Sequence, residues 1–255
     1  MQGLVRVAGL CALLPVILCC LPSAAYGGAW QQPDNRRLSI QTLEYFEASV
    51  GMRTFEQLTS RAYREWPLGD AVTFGTKLSY AWQTSTTPSS VTQLYGINEA
   101  LLFASHHWVR EGGWAFASRM TGVLETEKFA RDIRIAGQDA AVGLAGLVGW
   151  ANDALFVELD FEERWSLGTD ADQLRLQATI GRRVRSATFL AQINLTESHA
   201  QTVSGGFNYD LGQVSLSSLL PLTDRWSVEL GGRHDIHAEG LDGGSSAFLS
   251  FWYRP

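Results

Sequence analysis

The sequence predicts an all-β protein, a transmembrane antiparallel β-barrel of about twelve strands that follows a cleaved secretory signal. Three observations lead to this fold class. Apolar and polar residues alternate with period two through most of the chain, which is the spacing of a strand with two unlike faces. The alternating segments run about ten to thirteen residues, longer than globular strands and suited to a tilted span of a bilayer. Tryptophans gather at the ends of these segments, where an apolar ring with a wet N–H suits a membrane–water interface.

The first segment is an address. Arg6 is a lone positive charge, Leu10 to Leu21 is an apolar run too short to span a membrane, and Pro22-Ser23 breaks it. Ala25-Tyr26-Gly27 is a small-x-small cleavage site, so residues 1–27 read as signal and 28–255 as one barrel domain, with cleavage after Ala25 as the alternative. Cys11, Cys19 and Cys20 all lie in the signal, so the remaining chain has no cysteine and no disulfide to staple it. Loss of Arg6 leaves 19 basic and 26 acidic residues, a net charge of −7. That balance excludes a nucleic-acid partner, which needs a basic face. A mean hydropathy of −0.04 with 45% hydrophobic residues excludes a disordered chain.

The strands are expected near residues 37–49, 54–66, 71–84, 98–109, 114–126, 139–150, 154–165, 173–183, 187–197, 210–220, 226–238 and 245–254. The third is the clearest: Val72, Phe74, Leu78, Tyr80 and Trp82 oppose Thr73, Gly75, Lys77, Ser79, Ala81 and Gln83. In the fifth, Trp114, Phe116, Met120 and Leu124 oppose Arg119, Thr121 and Glu125; in the sixth, Val142, Leu144, Val148 and Trp150 oppose Ala141, Gly143, Ala145 and Gly149. In the seventh, Leu155, Val157, Leu159 and Phe161 oppose Phe156, Glu158, Asp160, Glu162 and Arg164. The eighth, ninth and eleventh repeat the pattern, with Arg175, Gln192 and Glu229 on their polar faces. Near 38–66 and 98–109 the alternation is poor, and length and spacing define the strands there. Links after even-numbered strands are short (67–70, 110–113, 151–153, 184–186 and 221–225), whereas 85–96, 127–138 and 198–209 read as longer polar loops. Short turns at one end and longer loops at the other are the pattern of an outer-membrane barrel, its short turns periplasmic.

In such a barrel the apolar face meets lipid and the polar face lines a hydrated lumen, because a closed sheet of twelve strands is too wide for side chains to fill easily. The expected lumen-lining residues are Lys77, Arg119, Glu158, Asp160, Glu162, Arg175, Glu229 and Arg233. The expected membrane-interface aromatics are Trp66, Trp108, Trp114, Trp150, Trp226 and Trp252 at the short-turn ends, with Trp82 and Trp165 at the other. Acidic residues on strand seven (Glu158, Asp160, Glu162, Glu163) face basic ones on strand eight and its turn (Arg175, Arg182, Arg183, Arg185). Such ladders either set up a transverse field that orients polar solutes or pair off across neighbouring strands.

Gly28-Ala29-Trp30, the stretch Pro221-Leu222-Thr223-Asp224-Arg225-Trp226-Ser227-Val228-Glu229-Leu230-Gly231, and the ending Phe251-Trp252-Tyr253-Arg254 resemble uncharacterised proteobacterial outer-membrane β-barrel proteins. The resemblance implies a barrel of the transporter or porin type and carries no catalytic motif. It also implies a terminal aromatic read by the barrel assembly machinery. The last residue is instead Pro255, which leaves Tyr253 for that role.

The histidines that could carry enzymatic chemistry are His106, His107, His199, His234 and His237. Alternation puts Asp235, His237 and Glu239 on one polar face near the outer rim, where they could hold a divalent cation or supply a base to a serine. Spacing this common needs no ligand to explain it, so no metal, cofactor or catalytic residue is expected. The function expected is passive passage of small polar or charged solutes through a charged lumen in the bacterial outer membrane. Its surroundings would be outer-membrane lipid and lipopolysaccharide. A closed structural or assembly barrel serving an export system is the alternative, and an outer-membrane hydrolase a more distant one.

Overall fold

The structure, a computed structural model, describes residue 29 and residues 36–124, 140–168, 171–199, 209–241 and 243–255. The expected signal boundary and the expected loop 127–138 lie outside these residues, as does most of the expected loop 198–209. The described chain forms twelve strands and no helix: β1 (Leu38–Val50), β2 (Arg53–Leu68), β3 (Val72–Thr87), β4 (Ser90–Glu111), β5 (Trp114–Leu124), β6 (Ala141–Ala151), β7 (Leu155–Ser166), β8 (Asp172–Val184), β9 (Ala187–His199), β10 (Asp210–Pro221), β11 (Trp226–Glu239) and β12 (Gly244–Tyr253). Each pairs antiparallel with its neighbours in sequence, and β12 returns to β1 to close the barrel. The closing register runs from Ser39↔Tyr253 to Ala48↔Gly244. Closure matters because an open edge would leave a row of backbone N–H and C=O groups without partners.

The burial pattern is inverted relative to a soluble barrel. Leu43, Phe74, Leu78, Trp82, Phe116, Met120, Leu144, Leu159 and Phe161 are exposed on the outside, whereas Glu44, Thr59, Thr73, Gln83, Thr121, Glu158, Glu162 and Arg164 are buried inside. Antiparallel sheets with one buried face normally point the apolar residues inward. Here the polar set faces the interior, and the outward row is apolar through most of its length.

Two features depart from the strands expected from sequence. Residues 85–96 are not a loop: β3 continues to Thr87, β4 begins at Ser90, and the pairing persists through Ser85↔Thr92 and Gln83↔Leu94. Hydroxyl and amide side chains there suggest a loop by composition, but their backbones pair, and Thr87 closes the turn with its Oγ1 bonded to Ser90. The second departure is irregular register. Bulges fall between Ser79 and Tyr80, between His107 and Val109, and between Gly212 and Gln213 with their partners. A bulge inserts one unpaired residue and flips the alternation beyond it.

The bulge on β11 corrects the reading of the histidine cluster. Asp235 pairs with Gln213, but His237 pairs with Gly212, so Ile236 is the extra residue. Asp235 therefore stays with the inward row of Arg233, while His237 and Glu239 share the outward row of Asp210 and Glu197.

Candidate functional site: the barrel interior

The charged residues expected along the lumen lie on the inward rows of their strands, and all but Glu158 meet a charged or polar side chain there. Lys77 Nζ lies 2.6 Å from Glu99 Oε2, and Arg119 Nη2 lies 2.6 Å from Asp160 Oδ2. Glu162 receives Arg164 from its own strand at 3.0 Å and Arg175 from β8 at 3.9 Å. Glu44 on β1 is held from both sides, by Arg61 of β2 and by Arg233 of β11, the latter at 3.1 Å. Glu229 accepts hydrogen bonds from Ser217 Oγ at 2.6 Å and from Trp252 Nε1 at 3.0 Å. The middle of the interior is thus a belt of crossed ion pairs. Apart from Arg164–Glu162 within β7, each links strands beside one another or nearly so, which fixes side chains that would otherwise sweep the lumen.

The expected opposition of strands seven and eight is only partly realised. Arg175 reaches Glu162, but Arg182 is exposed in the outward row with Leu155 and Phe189. Arg183 donates to the Asp153 carbonyl at 3.3 Å, and Arg185 sits in the β8–β9 turn with a φ of 55°. Glu163 points outward, bonded to His199 at 3.0 Å. Arg164, on the polar face of the same strand, makes the closer pair with Glu162, at 3.0 Å against 3.9 Å for Arg175.

Of the eight tryptophans expected at the membrane interface, Trp82, Trp108, Trp114, Trp165 and Trp226 are exposed on the outer face, and Trp66 and Trp150 are half-buried in the same row. Trp252 is a correction. It shares the inward parity of Ser250, is 7% exposed, and donates its N–H to Glu229 inside the barrel. Phe251 and Tyr253 supply the outward face of β12 instead, and Tyr253 packs on Trp226 with ring centroids 4.6 Å apart.

The interior is also less polar than the alternation implied. Near the short-turn end, Leu38 of β1, Phe156 of β7, Leu219 of β10 and Trp252 of β12 pack into one cluster, with Ile40, Tyr63 and Leu190 against it. These residues come from both sides of the barrel, so the cluster crosses the lumen as an apolar layer. Phe156 lies over Gly181 and Phe103 lies over Gly75, each ring occupying the space a Cβ would need. Tyr63 and Phe103 then stack at 5.8 Å across the intervening strand. A second small cluster holds Ala29 among Ala115, Ala117, Ala145 and Leu147 on β5 and β6. The His107 ring fixes that residue: Nδ1 donates to the Ala29 carbonyl at 3.1 Å, and Nε2 lies 3.2 Å from Thr73 Oγ1. The bond to the Ala29 carbonyl requires a proton on Nδ1.

These residues were missed because β1, β2 and β4 hide the alternation. Their inward faces mix Leu38, Ile40, Phe55, Tyr63, Leu101 and Phe103 with the charges, while their outward faces carry Gln41, Glu47, Glu56, Ser60 and Arg64. The glycines at 75 and 181 were a usable signal, since a strand glycine often marks a close approach by a neighbour.

Outside the barrel, Asp210, His237 and Glu239 bring potential ligand atoms within 4.8 Å of one another. They are largely exposed, and exposed groups of this kind are common without an ion. His234 Nδ1 lies 2.9 Å from Ser245 Oγ. Glu47 pairs with Ser245 from the β1 side, away from the histidine, so the order nucleophile, base, orienting acid is not built.

No protein-family profile and no curated protein matches the sequence. Solved structures do. The COG4313 outer membrane channel from Pseudomonas putida F1 superimposes with a TM-score of 0.72 at 11% identity, over 91% of this chain and 99% of that one. The NanC porin gives 0.59 at 9% identity, over 84% and 100%. The beta domain of the Bordetella autotransporter BrkA gives 0.54 at 13% identity, over 87% and 100%. At these identities the likeness is one of fold: a closed outer-membrane-type barrel of this size.

Proposed function

We propose that this chain is an outer-membrane channel through which small polar or charged solutes pass passively, along a lumen lined by Lys77, Arg119, Glu158, Asp160, Glu162, Arg175, Glu229 and Arg233. The observation that carries the reading is the inversion of the barrel, with an apolar exterior suited to lipid and charged side chains buried inside. A soluble barrel gains nothing from this arrangement, since it would expose its apolar surface to water. The COG4313 channel and NanC porin, similar over nearly their whole length, support the same reading. Outer-membrane lipid and lipopolysaccharide would surround the apolar face, and the barrel assembly machinery would insert the chain.

Single-channel recording of the refolded protein in a planar bilayer, across a salt gradient, tests it. Discrete conductance steps with a stable reversal potential are the expected result. Silence from a protein shown to be folded by its heat-dependent gel shift would overturn the channel reading. It would favour a second one, a closed barrel serving a structural or export role. The apolar layer of Leu38, Phe156, Leu219 and Trp252 and the extensive pairing of interior charges are the observations on that side.

A further inference from the structure

We propose that the short-turn end of the barrel carries a binding surface for the phosphates of anionic phospholipid, built from Arg37, Arg64, Arg182, Arg185 and Arg225. This rests on the reading of the chain as an outer-membrane barrel and does not require that the lumen conducts.

Two sets of arginines contrast. Inside the barrel, Arg61, Arg119, Arg164, Arg175 and Arg233 each lie against a carboxylate. The five at the short-turn end are exposed, and among the described residues none of them meets one. Arg37 stands just before β1, and Arg64 faces outward on β2 opposite Ser39. Arg182 lies in the outward row of β8 between Leu155 and Phe189, and Arg185 in the β8–β9 turn. Arg225 lies in the β10–β11 turn, where its carbonyl accepts from the Arg254 N–H at 2.9 Å and so joins the end of β12. The set follows one continuous arc of the rim, from β8 through β12 and β1 to β2. Exposed acidic side chains at this end, Asp70, Glu111 and Asp153, lie on the other arc, between β2 and β7. Among the described residues Asp224 alone shares the arc of the arginines.

Neighbouring side chains fix the level of this set. Arg64 lies in the outward row two residues from Trp66, and Arg225 precedes the exposed Trp226. Tryptophans in such a row mark the membrane–water interface, which is the depth of the lipid phosphates. A long side chain rests its stem on apolar surface and carries its charged head to that level. A guanidinium presents paired N–H donors that match phosphate oxygens, a fork that a lysine ammonium lacks, and all five positions are arginine. Short turns face the periplasm, so the phosphates within reach are those of phospholipid in the inner leaflet. A soluble acidic protein would not reach Arg64 or Arg182, whose side chains leave the sheet on the lipid side. The other end of the outer face has the opposite charge. Carboxylates stand directly across from one another there, at Glu47↔Glu56, Glu197↔Asp210 and Asp210↔Glu239. An anionic lipid is drawn to one rim and repelled from the other.

The test is native mass spectrometry of the folded protein in detergent, titrated with phosphatidylglycerol and with phosphatidylcholine of the same acyl chains, whose choline offsets the phosphate charge. Saturable adducts of phosphatidylglycerol are expected at concentrations where phosphatidylcholine gives few. The double variants Arg64→Gln with Arg225→Gln, and Arg182→Gln with Arg185→Gln, should each weaken phosphatidylglycerol about tenfold or more, as loss of two basic residues beside an anionic surface does. Either double variant suffices if the other does not fold, and Glu47→Gln at the acidic end should bind as the parent does. Equal adducts from the two lipids, or phosphatidylglycerol binding unchanged in a folded double variant, overturns the surface. Tighter binding of lipid A than of phosphatidylglycerol, lost in the same variants, overturns its assignment to inner-leaflet phospholipid. Phosphatidylglycerol binding by a protein silent in bilayers would remove the channel reading and leave the surface standing. Conduction without that binding would do the reverse.

Discussion

Glycines decide where rings and backbones approach in this wall, and they do so with different consequences. A Cβ at Gly75 would lie 2.0 Å from Phe103 Cζ, the far end of a side chain that can swing into the lumen. At Gly244 the Cβ would lie 2.2 Å from the Glu47 carbonyl oxygen, which is backbone in the closing β12–β1 pair. Gly244→Ala should therefore cost about 1–3 kcal/mol, in the range of overpacking substitutions, while Gly75→Ala should cost less and unstack Tyr63 from Phe103. Denaturant unfolding of the two variants in the same detergent checks the order; Gly75→Ala proving the more damaging would contradict it. Trp252 teaches a related lesson. A terminal aromatic reads as an interface anchor by type, yet parity aims it inward at Glu229, and type alone does not report parity.

At the scale of strands, the ion pairs connect neighbours and so act on the wall as well as the lumen. Glu44 carries the most of this, lying between Arg61 and Arg233 with its own side chain only 5% exposed. Glu44→Gln leaves two arginines facing one another across β1 and β12. We expect a loss of about 2–4 kcal/mol, towards the low side for breaking a buried pair because both arginines retain some contact with solvent, together with a shift of selectivity towards anions. Equilibrium unfolding and reversal potentials read the two effects separately, and a variant unchanged in both would remove Glu44 from the pairing argument. The triple change Glu158→Gln, Asp160→Gln and Glu162→Gln acts on β7 alone and should move the reversal potential the same way. If an active pore kept its ion preference, β7 would not line the conducting path. The alternation of β3, β6 and β7 was legible because one face is apolar with few interruptions, Thr76 in β3 and Glu163 in β7. That of β1, β2 and β4 was not, because interior apolar residues and exterior polar ones cancel the contrast. The bulge at Ile236 could not be read at all, since an extra residue is defined only by the strand it fails to pair with.

For the whole barrel, the interior divides along its axis. The middle is a belt of paired charges, and the short-turn end is an apolar layer joined across the lumen by Leu38, Phe156, Leu219 and Trp252. Hydrophobic constrictions restrict ions by excluding water, so the layer, rather than the charged belt, should set the conductance of the proposed channel. Phe156→Ala combined with Leu219→Ala should raise single-channel conductance several-fold while changing ion preference little. Conductance no larger than that of the parent would move the constriction elsewhere in the lumen.

By itself the sequence determined the strand count, the closed all-β class and the sense of the two faces. Those features follow from a period of two repeated over many segments, and a one-residue slip of any strand would exchange every side chain between lipid and lumen. It also marked the charged interior positions, since charge on the face opposite an apolar row has few other places to go. What only the tertiary structure decided is which side chains meet across the lumen. The apolar layer joins β1, β7, β10 and β12, and Tyr63 of β2 stacks on Phe103 of β4 over Gly75. Those encounters depend on barrel diameter, strand tilt and stagger, which closure fixes globally and no local pattern of residues encodes.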